Sequence, residues 1–497
     1  MTLYDPQFSP GIYSEGTEYS ASGKWVDGNL IRWHAGAIRP IGGWRKMSTS
    51  VLAGKPRTCY PWRTNALYRM SACGTHSNLY VITPSAIFDI TPTNLASGRE
   101  NTVLNVGYGV GYYDQGFYGT PRAESNAQEA TIWHFSNFGE WLLAVNTTDG
   151  RLFVWDPVNT GSAAQVVASA PTNNTGVIVT PQRHVLLFGA NGDKRKLHWS
   201  SSETINVWTP SALNSAGFLS IPSSEPCKAA RVFRNGVLIF TESSLYMLSY
   251  IGYPYIYSLS EVANGISVVS PSSIVSADDA IIWMGKNKFF YFDGAVREIP
   301  CSVKDFVFDK FNWLQAIKTF GYYFPDYSEI WWFFPSDSNE NDRYVVLNMA
   351  EKIWYTGYVS RAAGWFSSEW QQPILVSSSG VVYKHEEGYT DDGSPIGPQR
   401  YLVSSPIMSG KGESHYLIQG IVPDRDPSSA VGVVLEARDW PEVKTVLSST
   451  GILSGGPYID CRTQARAFAV KLVGITDNKW ELGSLQLDVI PTGKRRK

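Results

Sequence analysis

The chain has 497 residues and a formal net charge of -2, with 42 Lys plus Arg against 44 Asp plus Glu. That balance excludes tight nucleic-acid binding by bulk charge, although a passage that conducts DNA without gripping every phosphate stays compatible with it. The length exceeds what one hydrophobic core fills, and 18 Trp, 27 Tyr and 22 Phe supply ample apolar surface, so one large repeat architecture with a smaller domain is predicted.

The first residues are broken by Asp5, Pro6 and Pro10 and contain no apolar signal-peptide core, and no run of ~18 apolar residues occurs. A soluble chain without a membrane anchor, made in a cytoplasm and exported by no pathway of its own, is expected. Residues 1–60 are predicted to form N-terminal strands or an arm that contributes to a platform.

From residue 61 to 390 a hairpin recurs: a short apolar run, a polar turn, then an aromatic-rich return. The paired runs are 68–73 with 79–82, 141–145 with 152–155, 184–188 with 196–199, and 237–240 with 245–248. They continue as 280–284 with 289–292, 330–334 with 344–347, and 373–376 with 381–383. The aromatics recur beside β-branched residues rather than at helical spacing, which favours strands. From the second copy on, the turns near Thr148, Asn191, Glu242, Lys286, Ser338 and Ser379 follow the ~40 to 50-residue period of propeller blades. A lone hairpin leaves a wet face and two open edges, whereas radial packing buries the faces. The fold class predicted is therefore all-β, a β-propeller of about six or seven blades with an irregular first unit. A linear solenoid has a shorter repeat, and a sandwich gives no reason for seven near-equal hairpins.

One helix is predicted between blades, where Ser302 caps a segment with Asp305 in its first turn and Val303, Phe306, Val307, Phe311 and Leu314 on one face. Turn formers Asp391, Asp392, Gly393, Pro395, Gly397 and Pro398 mark a linker. Beyond it, runs 416–422, 431–437, 467–473 and 485–490 predict an additional C-terminal β-sandwich or sheet over 391–497. The terminal Lys494, Arg495, Arg496 and Lys497 read as a solvated tail.

Chemical motifs are weak throughout. Gly107, Gly109, Gly111, Gly116 and Gly119, interleaved with Tyr108, Tyr112, Tyr113 and Tyr118, lack the strand and helix that a phosphate loop needs, so a Gly/Tyr loop packing on a neighbouring subunit is expected instead. Cys59, Cys73, Cys227, Cys301 and Cys461 show no C-x-x-C pair and signal neither zinc nor a disulfide framework, which leaves buried free thiols. The histidines at 34, 76, 134, 184, 198, 385 and 415 form no i, i+4 ligand pair. His385, Glu386, Glu387, Asp391 and Asp392 are the densest polar cluster and read as a solvated acidic loop, with a weak cation site as the minor alternative. Trp199, Ser200, Ser201, Ser202, Glu203 and Trp208 resemble a sialidase Asp-box only faintly, because the acid, glycine, threonine order is missing. No catalytic, cofactor-binding or metal-ligating residue is predicted, and no cofactor.

Several segments together carry a family resemblance. They are Trp25-Val26-Asp27-Gly28, Ile31-Arg32-Trp33, Arg39-Pro40-Ile41-Gly42-Gly43-Trp44, Tyr118-Gly119-Thr120-Pro121-Arg122 and His198-Trp199-Ser200. Further on come Trp283-Met284-Gly285, Tyr291-Phe292-Asp293-Gly294, Glu329-Ile330-Trp331-Trp332-Phe333-Phe334-Pro335 with Asp342-Arg343-Tyr344-Val345, Trp480-Glu481-Leu482-Gly483 and Pro491-Thr492-Gly493-Lys494-Arg495. In these the chain resembles the tail hub or nozzle proteins of short-tailed bacteriophages, related to tail tubular protein B and to packaged-DNA stabilisation proteins. The resemblance implies a structural virion protein without catalytic residues. It implies a homo-hexamer below the head-tail adaptor ring, in contact with a tail fibre or a tail plug or needle protein, and touching double-stranded DNA transiently in a central channel. The rival readings are a receptor- or glycan-binding propeller and a propeller glycosidase, the latter needing two carboxylates across a glycosidic bond.

Overall fold

The computed structural model describes residues 3–104, 127–408, 414–425, 431–438, 447–453 and 458–494, and strands dominate them. Among the described residues, seven antiparallel sheets of four strands follow one another along the chain. The first is a meander of Pro56–Arg63, Arg69–Thr75, Leu79–Ile82 and Ile87–Asp89. The second runs from Trp133–Phe138 to Gln165–Val166, the third from Gly176–Val179 to Gly217–Ser220, and the fourth from Ala229–Phe233 to Ile256–Asn264. The fifth runs from Ile274–Ala277 to Val296–Ile299 and the sixth from Phe320–Phe324 to Ile353–Gly357. The seventh takes three strands in sequence, Ala363–Trp365, Ile374–Val376 and Val382–His385. Its fourth strand, Trp44–Lys46, comes from the other end of the chain and sets Trp44 opposite His385.

Each of the seven predicted hairpins is present, always as the second and third strands of its sheet. These middle strands are covered on both faces by neighbouring sheets, so they read as unbroken apolar runs rather than alternating ones. Val185–Phe188 and Ala280–Gly285, for example, are buried at every position. Outer strands carry little signal, since Gln165–Val166 is wholly exposed. The first unit, expected to be irregular, is a four-stranded sheet like the others, with one register shift between Pro56 and Thr58. The long turn spacing after it comes from an insertion that includes the short pair Val103–Leu104 and Ala127–Gln128. The Gly/Tyr loop lies outside the described residues.

Successive sheets pack face to face through separate apolar clusters. Leu79 and Val81 meet Trp133 and Phe153, then Leu143 and Leu152 meet Val185 and Leu187. Leu186 and Trp199 meet Ile239 and Leu248, and Leu238 and Phe240 meet Ile281 and Trp283. Ile282 and Phe289 meet Trp332 and Trp354, Phe324 and Phe366 sit 5.3 Å apart between the sixth and seventh sheets, and Ile374 and Val376 return to Cys73 and Ile82 of the first. This is a β-propeller arrangement.

The remaining strands form two larger sheets that draw on both ends of the chain. One joins Ile31–His34, Ala37–Pro40, Leu482–Lys494, Ser414–Arg425 and Ile459–Ala465, with Leu3–Tyr4 beside Leu482–Lys494. The other joins Ser9–Ile12, Lys24–Asn29, Tyr401–Ser404, Ala467–Gly474, Val431–Arg438 and Leu447–Leu453, with Ile407–Met408 beside Ala467–Gly474. Ile418, Leu485, Val433, Leu435 and Phe468 from these sheets share one core cluster with Trp332, Tyr344 and Trp354 of the sixth four-stranded sheet.

The predicted helix is shorter than its pattern suggests. Only Lys304–Phe308 is α-helical, Val303 occupies the N-cap without a side-chain bond, and Trp313–Lys318 continues as a 3-10 turn. Ser302 does not cap, because its hydroxyl donates to the Ile12 carbonyl at 2.6 Å. Phe308 packs on Phe289 and Phe311 on Phe334, which places the segment between the fifth and sixth sheets.

Candidate functional site

The first strands of all seven four-stranded sheets surround one cavity of about 500 Å³, to which Tyr60, His134, Ile178, Arg231, Ser276, Tyr322 and Trp365 each contribute from a different sheet. Its described lining contains two cations, Arg57 and Arg231, and no Asp or Glu. Arg57 is held by Glu340 through two bonds of 2.8 Å from Nη1 and Nη2. Burial pushes the Glu340 carboxyl up, but Arg57 and Lys318 outweigh it and hold the group below the ordinary range. Lys318, also fully covered, bonds Glu340 at 3.0 Å and the Asn339 carbonyl at 2.6 Å, and burial brings its ammonium down to about 8. Arg231 donates to the carbonyls of Pro271 at 2.6 Å and Ala230 at 2.9 Å, and burial lowers it to about 10. Paired-carboxylate chemistry on a sugar needs two acids facing each other across the bond. This cavity offers none from its described lining.

The polar cluster at 385–392, expected to be a solvated acidic loop, is solvated only in part: Asp392 is exposed, Glu386, Glu387 and Asp391 are half-buried and His385 is buried. Each member is tied to a different partner, and most of them fasten the strand Trp44–Lys46. The Trp44 indole donates to Asp391 at 2.6 Å, and the Lys46 amide and ammonium bond Asp392 at 3.1 and 3.0 Å. Arg45 pairs with Glu387 at 3.6 Å, and the Gly42 amide donates to Glu386 at 3.1 Å. His385 stacks on Trp44 and accepts from Arg361 Nε at 2.9 Å, and burial with the adjacent guanidinium pushes its pKa well down. Gly43 leaves no room for a side chain here, because a Cβ would lie 2.3 Å from the Thr390 carbonyl oxygen.

A second tie joins the larger sheets to the four-stranded ones. Arg32 is buried between Glu329 of the sixth sheet at 3.0 Å and Glu386 at 2.7 Å, with its guanidinium 3.9 Å from the Tyr327 ring centre. Burial opposes the charge, yet the two carboxylates outweigh it and keep Arg32 firmly protonated. Arg32 belongs to one of the segments that carry the family resemblance, and its role here is a tie between layers.

The remaining candidates also resolve into structure. Trp199 donates to the Ser215 carbonyl, Trp208 to the Ile205 carbonyl, and Glu203 pairs with Arg183 at 2.6 Å, so the polar groups of the Asp-box-like stretch are taken up by bonds within it and to its neighbours. His184 and His198 bond the carbonyls of Ser200 and Trp208 at 2.7 and 2.9 Å. Among the described residues no group of three His, Cys, Asp or Glu could hold a metal. No described helix is long and apolar enough to cross a membrane. Arg495, Arg496 and Lys497 lie outside the described residues.

The sequence reading missed one surface. Ser244–Gly252 and Ile256–Asn264 are nine residues each, the longest strands of the seven sheets, and at their tip Tyr250, Ile251, Tyr253 and Tyr255 are exposed. The signal was present as Tyr250 and Ile251 carrying the apolar run on past Leu248 into a Gly-Tyr-Pro-Tyr turn.

The fold and the central cavity thus define a β-propeller bound to a further pair of sheets. Among solved structures, the chain is similar to BamB from Moraxella catarrhalis, at 9% identity over 78% of this chain and 98% of that one, with a TM-score of 0.39. It is also similar to the Pan2 WD40 domain of Neurospora crassa, at 9% identity, 73% and 98% coverage and a TM-score of 0.41. The Cps50 (Swd1) β-propeller domain of Myceliophteria thermophila matches at 8% identity, 70% and 99% coverage and a TM-score of 0.41. No family model matches the sequence, and no curated protein matches it.

Proposed function

We propose that this chain is a structural component of a short bacteriophage tail, a ring-forming hub or nozzle below the head-tail adaptor that retains packaged DNA and conducts it during ejection. In this reading the seven four-stranded sheets are the blades of a closed seven-bladed propeller, and the two larger sheets form a β-sandwich layer fixed to it by Arg32. The observation that carries it is where the charged groups went: Arg32, Arg57, Lys318, Glu329, Glu340 and Glu386 all tie sheets together, which suits a rigid part more than a reacting one. The propeller's own cavity is not the conduit. Its 500 Å³ is a cube roughly 8 Å on edge, narrower than even one major groove of ~12 Å. Duplex DNA therefore passes through the space enclosed by several copies, six in this proposal, related by a closing rotation. Partners are the adaptor ring and a tail fibre or plug, and the protein resides in the virion.

Electron microscopy of the purified chain mixed with its phage's adaptor tests this: six-fold rings seated on the adaptor are expected, and a monomer that ignores the adaptor would sink the idea. A second reading, a receptor- or glycan-binding propeller, is favoured by the exposed tyrosines of the long hairpin, since Tyr offers large contact area at low entropy cost. Glycan binding by the monomer, lost in a Tyr253→Ala, Tyr255→Ala double variant, would select it.

A further inference from the structure

Two of the five cysteines, 14 positions apart, lie on neighbouring strands of the first sheet. Cys59 of Pro56–Arg63 stands directly opposite Cys73 of Arg69–Thr75, and their sulfurs are 3.3 Å apart. Opposed residues on antiparallel strands hold their Cα atoms ~4.5 to 5.5 Å apart, inside the ~4.4 to 6.8 Å span of disulfides. Reaching a bonded distance of ~2.05 Å therefore asks for small side-chain rotations and no strand movement. Access is one-sided. Cys59 keeps some exposure and lines the central cavity, while Cys73 is buried against the seventh sheet beside Trp365 and Ile374.

We propose that Cys59 and Cys73 are a redox-active pair that closes into a cross-strand disulfide when a low-molecular-weight disulfide enters the central cavity. The Cys59 thiolate attacks one sulfur of the oxidant, forming a mixed disulfide and releasing one thiol. The Cys73 thiolate then attacks the Cys59 sulfur and displaces the second thiol. Two protein thiols are oxidised, the oxidant's disulfide is reduced to two thiols, and their protons come from the cysteines. Burial pushes the Cys59 thiol well above its ordinary range, so closure is slow at neutral pH and quickens as pH rises. A reducing compartment keeps the pair open and an oxidising one closes it, whichever reading of the protein's function holds.

The test is incubation of the reduced, folded full-length protein with glutathione disulfide, followed by denaturation, alkylation and peptide mapping. A linked Cys59–Cys73 peptide is expected, with Cys227, Cys301 and Cys461 still alkylated, and faster formation at pH 9 than at pH 7. Cys59→Ser should leave Cys73 reduced, and Cys73→Ser should leave a mixed disulfide on Cys59. All five thiols remaining free, a mixed disulfide persisting on Cys59 of the unsubstituted chain, or bridges to the other three cysteines would each overturn the proposal. The mapping of the unsubstituted protein decides it even if a variant fails to fold.

Discussion

His134 shows how one buried side chain sets an acid limit on the whole protein. It packs edge-on against Phe188 with ring centres 5.2 Å apart, and burial, with Arg231 adding to it, pushes its pKa down to about 3. Unfolded, the same group titrates near ~6.5. Between those values the unfolded chain binds the proton and the folded one does not, so the stability contribution is full above pH ~6.5 and is lost as pH falls toward 3. Two pH units of that window correspond to roughly 2 to 3 kcal/mol. Urea unfolding at pH 7 and pH 4.5 should show lower stability in acid. His134→Gln should shrink that difference without abolishing it, because His184, His198 and His385 are lowered as well. Gly74 is limiting in another way. A Cβ there would lie 2.2 Å from Cδ1 of the buried Trp133, whose indole bonds the Thr75 carbonyl at 2.7 Å. Gly74→Ala forces the joint between the first two sheets apart and should cost at least ~1 to 3 kcal/mol in denaturant unfolding, with altered Trp fluorescence.

Among the elements, the short strand Trp44–Lys46 matters more than its length suggests, since it fills the edge of the seventh sheet and is clasped by Asp391 and Asp392. Trp44 is also buried and stacked on His385. Trp44→Ala should raise hydrogen exchange in Trp44–Lys46 and Val382–His385 by roughly a hundredfold or more, reflecting a local loss of roughly 3 kcal/mol or more, while the third sheet keeps its protection. Equal exchange in all sheets would argue against a local clasp. The polar cluster was visible in the sequence at 385–392, but its partners at 42–46 lie some 340 residues away, and adjacency along the chain made it look like a solvated loop. The helix failed for a related reason: apolar spacing around Val307 and Phe311 met the helical period, yet Phe289 and Phe334 of the sheets on either side fixed Phe308 and Phe311 and left room for one turn.

At the scale of the molecule, the two larger sheets share one core cluster and the buried Arg32 tie with the four-stranded sheets, so neither can lose its packing without exposing the other. Calorimetry should accordingly record one unfolding transition. Two well-separated transitions would mean that the shared core contributes little. Glu329→Ala, which leaves Arg32 with Glu386 as its one carboxylate, should lower that transition by the equivalent of ~3 kcal/mol or more. By itself the sequence determined the all-β class and all seven hairpins, because strands buried on both faces must be continuously apolar and their turns must be polar. The tertiary structure alone decided the outer strands, the clasp, the interleaving of residues 3–40 with 401–494, and the meeting of Cys59 with Cys73. Those features depend on which distant segments share an edge, and hydrophobic pattern records burial without naming the neighbour that provides it.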